Sequence, residues 1–216
     1  MGRWITCILV VVGLLSAIFL HGSGDVGGLV FFKPHFAFEV FEKITLSGPL
    51  TPIGSETLYF RLFGAFGMGY ATESDKTWRD ELFIANKNEL AKVDPISWNV
   101  ETIGDLPSQS ELTGNADGEL WAFLPLENPA ALAKLDKTTG LEMDRVSIYE
   151  FPNPANIDTF AFATWGGDFW LFVRSYGMGE STDVFRVTEA GDITKVRNNV
   201  GLNIVGAGVS TCAPTE

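Results

Sequence analysis

From residue 81 onward, hydrophobic and polar positions along the chain fall into a pattern that recurs three times. Glu81-Leu82-Phe83-Ile84 leads to Leu90-Ala91-Lys92-Val93-Asp94, and Glu119-Leu120-Trp121-Ala122-Phe123 leads to Leu132-Ala133-Lys134-Leu135-Asp136. The third copy runs from Asp168-Phe169-Trp170-Leu171-Phe172 to Val184-Phe185-Arg186-Val187-Thr188. Each opens with an acidic residue, passes through an apolar, aromatic run and enters a second run after a variable gap. Short runs rich in aromatic and β-branched residues, bounded by turn residues, predict strands. Leu82 and Leu120 are 38 residues apart and Leu120 and Phe169 are 49 apart, intervals that bracket the roughly 40–50 residues of a four-stranded repeat unit.

The other strands of each unit follow from the same register. Val100–Ile103, Leu141–Val146 and Ile193–Val196 come after turns opened by Asp94, Asp136 and Glu189. The innermost strand should precede the acidic residue, as Glu111–Gly114 does in the second unit and Thr159–Trp165 in the third. In the first unit it would fall on Phe66–Ala71, a poor match, and Gly67-Met68-Gly69 reads as a flexible connection, like Gly177-Met178-Gly179. Pro129–Leu135 has helical propensity, but its alignment with Asn88–Val93 makes it a strand. No stretch predicts an amphipathic helix longer than a turn or two. Residues 25–79 are dense in phenylalanine and alternate apolar Phe36, Phe38 and Val40, then Ile44 and Leu46, with other residues; Leu58–Phe63 is a further strand. The expected fold is all-β, built of propeller-type repeats of antiparallel four-stranded sheets. About four units fit the length, with residues 25–79 supplying the first blade or blades and 80–214 the clear repeats.

The repeats resemble those of bacterial exported β-propeller-like proteins over about residues 80–214. The similarity is strongest in Ala161–Phe172 and in Leu202-Asn203-Ile204-Val205-Gly206-Ala207-Gly208-Val209-Ser210-Thr211-Cys212-Ala213-Pro214. It is specific for the repeat and implies no particular chemistry. A small ring, an open arc and a shortened relative of longer propellers are all compatible with it.

Composition adds location and limits partners. Arg3, the uncharged and mostly apolar run Ile5–Leu20 and the small residues before Asp25 predict a signal peptide over residues 1–24. An uncleaved N-terminal anchor is the alternative, although the run is short of the roughly 20 apolar residues of a membrane span. Cleavage would leave 192 residues with 14 basic and 27 acidic side chains, a formal charge of −13. That balance excludes nucleic acid and anionic lipid as expected partners, because both bind through Lys/Arg clusters. Cys7 lies in the export segment and leaves Cys212 without an intrachain partner. The expected location is secreted, periplasmic or in the cell envelope.

Candidate chemistry is sparse. The mature chain has one histidine, His35, in an aromatic strand, so a His-based triad or a multi-histidine zinc site is not expected. No Gly-x-Ser-x-Gly elbow occurs, and the loop at Gly177 lacks the lysine of a phosphate loop. Asn115-Ala116-Asp117-Gly118 suggests a calcium loop, but counting from Thr113 puts Leu124 where a bidentate Glu should stand, so it reads as a hairpin turn. Asp94 and Asp136 read as turn caps rather than cation ligands. Trp121 and Trp170, at equivalent positions, read as core. The candidate binding residues are Trp165, Arg174 and Tyr176, since Trp, Tyr and Arg dominate recognition surfaces. These readings converge on an exported binding or scaffolding module with a protein or glycan partner. No catalytic residue, metal or cofactor is assigned. A metal-dependent, lactonase-like propeller hydrolase and a structural envelope component are the alternatives.

Overall fold

The computed structural model describes residues 28–32, 41–45, 67–72, 80–94, 99–177, 181–209, 211 and 214. The export segment, His35, Leu58–Phe63, Cys7 and Cys212 lie outside them. Strands β1 (Gly28–Phe32) and β2 (Phe41–Thr45) pair antiparallel as a two-stranded sheet. The other twelve strands form three antiparallel sheets, each a simple meander. Sheet I contains β3 (Gly67–Thr72), β4 (Asp80–Ala85), β5 (Glu89–Val93) and β6 (Val100–Asp105). Sheet II contains β7 (Glu111–Gly114), β8 (Leu120–Leu124), β9 (Ala130–Leu135) and β10 (Glu142–Ile148). Sheet III contains β11 (Ile157–Trp165), β12 (Asp168–Ser175), β13 (Asp183–Val187) and β14 (Ile193–Arg197). Among the described residues the only helical element is one 3-10 turn, Pro154–Asn156, and no helix is long and apolar enough to cross a membrane.

The sequence repeat is a repeat in space. Leu82 pairs with Val93, Leu120 with Leu135 and Phe169 with Val187, each between the second and third strands of its sheet. One residue on, Phe83, Trp121 and Trp170 face Lys92, Lys134 and Arg186. Alternation then gives every sheet two apolar faces. Phe83, Ala85 and Leu90 of sheet I pack on Leu120, Ala122 and Leu135 of sheet II. Trp121, Phe123 and Leu132 on the other side of sheet II pack on Phe169, Leu171 and Val187 of sheet III. Sheet II is thereby buried on both sides. Phe123, fully buried, has the rings of Phe151, Phe160 and Phe162 at 5.6, 6.0 and 5.8 Å.

The first strands of the three sheets lie side by side, β3 against β7 and β7 against β11. Glycine makes the first approach feasible. A Cβ on Gly67 would stand 2.3 Å from the Ser110 carbonyl oxygen, and one on Gly114 would stand 2.0 Å from that of Tyr70. Thr164 Oγ1 donates to the Gly114 carbonyl at 2.8 Å and ties β11 to the same strand. Reading Gly67-Met68-Gly69 as a flexible connection is therefore incorrect. All three residues are in β3, paired with Ala85, Ile84 and Phe83, and the glycines are there because another backbone is pressed against them. Sheets I and II also touch at their outer edge, where a Cβ on Gly104 would lie 2.2 Å from the Thr139 carbonyl oxygen. The first four-stranded unit begins at Gly67, on the Phe66–Ala71 stretch where its innermost strand would fall.

Candidate functional site

The acidic residues that open the repeats serve the sheets. Glu81 pairs with Lys92, Glu119 with Lys134 and Asp168 with Arg186, each across the second and third strands. Burial pushes the Glu119 carboxyl up, but hydrogen bonds from Lys134, Trp121 and Asn115 outweigh it and hold the group below the usual carboxylate range. The hydrogen bond to Glu119 in turn raises the Lys134 ammonium.

A cleft of about 280 Å³ opens beside the turns of sheet II, lined in part by Glu119, Lys134, Asp136, Lys137 and Met143. Most of its charges are engaged. Lys137 Nζ donates to the carbonyl oxygens of Gly118, at 2.6 Å, and Thr72, which joins sheet II to sheet I. Asp136 Oδ1 accepts from Thr138 Oγ1 at 2.6 Å and from the Thr138 and Thr139 amides at 2.8 and 2.9 Å. Those bonds, the Thr138 hydroxyl first, hold its carboxyl down at about 2. Asp136 caps a turn as the sequence predicts, and Thr188 does the same by accepting from the Asp192 amide at 3.1 Å. In Asn115–Gly118, Asn115 Oδ1 accepts from the amides of Asp117 and Glu119, and Gly118 takes a φ of 74°.

The three candidate binding residues fall at two ends of one hairpin. Trp165 pairs with Asp168 at the β11–β12 turn, where its carbonyl oxygen accepts from Trp170 Nε1 at 3.3 Å. Arg174 lies six residues further along β12, about 20 Å away at the rise of a strand. Arg174 and Tyr176 do come together. Arg174 forms an ion pair with Asp158, the residue at the β11 bulge, while its Nε is buried without a partner. The Tyr176 amide donates to the Asn156 carbonyl at 2.8 Å, and the residue is 66% exposed.

Two residues at that end escaped the sequence reading. Tyr149, after β10, is 82% exposed, and Leu126, in the β8–β9 turn, is 40% exposed. The register places both connections at the end where β12 finishes, because Ile148 pairs with Ala130 and the first strands of sheets II and III run the same way. Trp121 is buried against Phe169 at 4.8 Å, as expected of core, and Trp170 is partly buried against Phe172 and Val184.

Glu111 was also missed. Its equivalents in the first strands of sheets I and III are Gly67 and Ala161, as the pairings with Phe123, Ala85 and Phe172 show. A carboxylate where its counterparts are small and apolar is the signal that could have revealed it. The residue keeps some exposure but its carboxyl is buried; desolvation pushes it up to about 8, against the pull of a hydrogen bond from the Met68 amide. The neighbouring Ser108 and Ser110 hydroxyls are buried without partners. Among the described residues no three His, Cys, Asp or Glu side chains are grouped to hold a metal ion. No protein-family model matches the chain, and no curated protein is similar to it.

Proposed function

We propose that the chain is a propeller-type module that binds or scaffolds outside the cytoplasm, and that it grips a protein or glycan at the end of sheets II and III. The observation that carries this reading is the exposure of Leu126, Tyr149 and Tyr176 on three connections at one end of the molecule, beside Arg174. Tyrosine offers a large contact area at little entropic cost and a hydroxyl for hydrogen bonding, which suits either partner. The propeller architecture is supported by sheet stacking in sequence order with first strands adjacent, and by glycines where those strands meet. Export rests on Arg3 and the uncharged, mostly apolar run that follows it. A lactonase-like hydrolase would require at least three converging Asp, Glu or Asn side chains, and no described feature favours it beyond the buried Glu111.

A photocrosslinker at position 149 or 176, in the full-length chain expressed in bacterial envelopes, tests the binding end, with position 143 at the opposite end as control. A glycan array probed with the same protein covers the other partner class. Specific products or spots that disappear in Tyr149→Ser/Tyr176→Ser support the reading. Equal labelling from position 143, together with array signals indifferent to the double substitution, would overturn it.

A further inference from the structure

In sheets I and II, the face that carries Phe83 or Trp121 is covered by the next sheet; in sheet III the equivalent face carries Trp170, Phe172 and Val184. What covers it is the segment after β14. Val200, Leu202, Ile204 and Ala207 pack there against Ala161, Phe172 and Val184, and Ile204 is 1% exposed. We infer that residues 199–209, with Thr211 and Pro214, form a strap that takes the seat of a further sheet and ties sheet III back to sheet I.

The strap is anchored at both ends of the sheet. At its root, Asn199 turns the chain with a φ of 56°, its amide donates to Asp183 Oδ1 at 2.9 Å, and its side-chain oxygen accepts from Ser181 Oγ. The Val200 amide donates to the Thr182 carbonyl at 3.0 Å, and the Ile204 amide to Thr182 Oγ1 at 2.9 Å. Ser181, Thr182 and Asp183 are all buried, so sheet III buries polar groups at the point where the strap departs. Midway, Thr159 Oγ1 donates to Asn203 Oδ1 at 3.2 Å. At the far end the Gly166 amide donates to the Pro214 carbonyl at 2.8 Å, and Thr211 Oγ1 donates to Asp80 Oδ2, on β4 of sheet I, at 2.9 Å. A stacked array needs a cap for its last apolar face. Here the cap is a peptide held by side-chain and backbone hydrogen bonds instead of a strand ladder, so it can release without unravelling a sheet.

The test combines amide exchange on the intact chain with dye binding by variants. In the full-length protein the Val200 and Ile204 amides should exchange as slowly as those of β12; exchange at the rate of a free tail would overturn the inference. The full-length Ile204→Asp variant should lose at least ~5 °C in Tm and bind an apolar dye. An unchanged Tm without dye binding in Ile204→Asp would refute the cap. Thr211→Val should speed exchange at the Gly166 amide, and no change there would refute the tie to sheet I.

Discussion

Sheets II and III share a sequence pattern and differ in what covers them. Sheet II has a sheet on each side and is lined toward sheet I with small and branched residues, Leu120, Ala122, Ala131 and Ala133, all at most 1% exposed. Sheet III has a sheet on one side and a single segment of chain on the other. Its first two strands are nine and eight residues long, against four and five in sheet II. It also buries Ser181, Thr182 and Asp183. The comparison teaches that an interior unit can rely on shape-matched apolar faces, whereas a terminal unit needs directional bonds to hold a narrow cover in place.

The largest expected break in that comparison is at the shared face. Phe123→Ala should cost about 3–5 kcal/mol, read by denaturant unfolding. Glu111 supplies the next test. Its folded value is about 8, above the ordinary 4.5. Between those values an unfolded chain has released the proton that the folded chain retains, so stability falls as pH rises through the window, with a slope approaching ~1.4 kcal/mol per pH unit. Glu111→Gln should abolish that slope and leave the variant more stable than the parent at pH 8 to 9, as thermal unfolding across pH will show. Thr182→Val orphans the Ile204 amide and should cost about 1–3 kcal/mol, read by denaturant unfolding. The smallest effect belongs to the repeated ion pairs. Lys92→Met, Lys134→Met and Arg186→Met should each shift stability by no more than about 1 kcal/mol, because the pairs are partly solvated.

Much of this fold could be read from period and punctuation. The pairings of Leu82, Leu120 and Phe169, the bounds of Glu111–Gly114 and the strand at Ala130–Leu135 all follow from repeats that outweigh local propensity. The reading faltered where a residue's role depends on another segment. Gly67 and Gly69 carry no pattern of their own and make sense only beside Ser110 and Leu112. The exposure of Tyr149 and Leu126 depends on where two connections meet, and the pKa of Glu111 on a carboxyl enclosed by neighbouring strands. Trp165, Arg174 and Tyr176 were chosen from residue type, which does not reveal that Trp165 sits at the far end of the hairpin from the other two.

The glycine contacts also govern how the molecule can yield. Sheets I and II meet backbone to backbone along both margins, at Gly67 and Gly114 on one and at Gly104 on the other. Two such fulcrums restrict rocking between them. The corresponding outer contact between sheets II and III is looser: a Cβ on Gly191 would stand 3.2 Å from a Val146 side-chain carbon and 3.5 Å from the Ser147 carbonyl oxygen. Compliance is thus concentrated on the far side of sheet II, so a load applied at Tyr176 would flex sheet III and leave the first two sheets moving as one block.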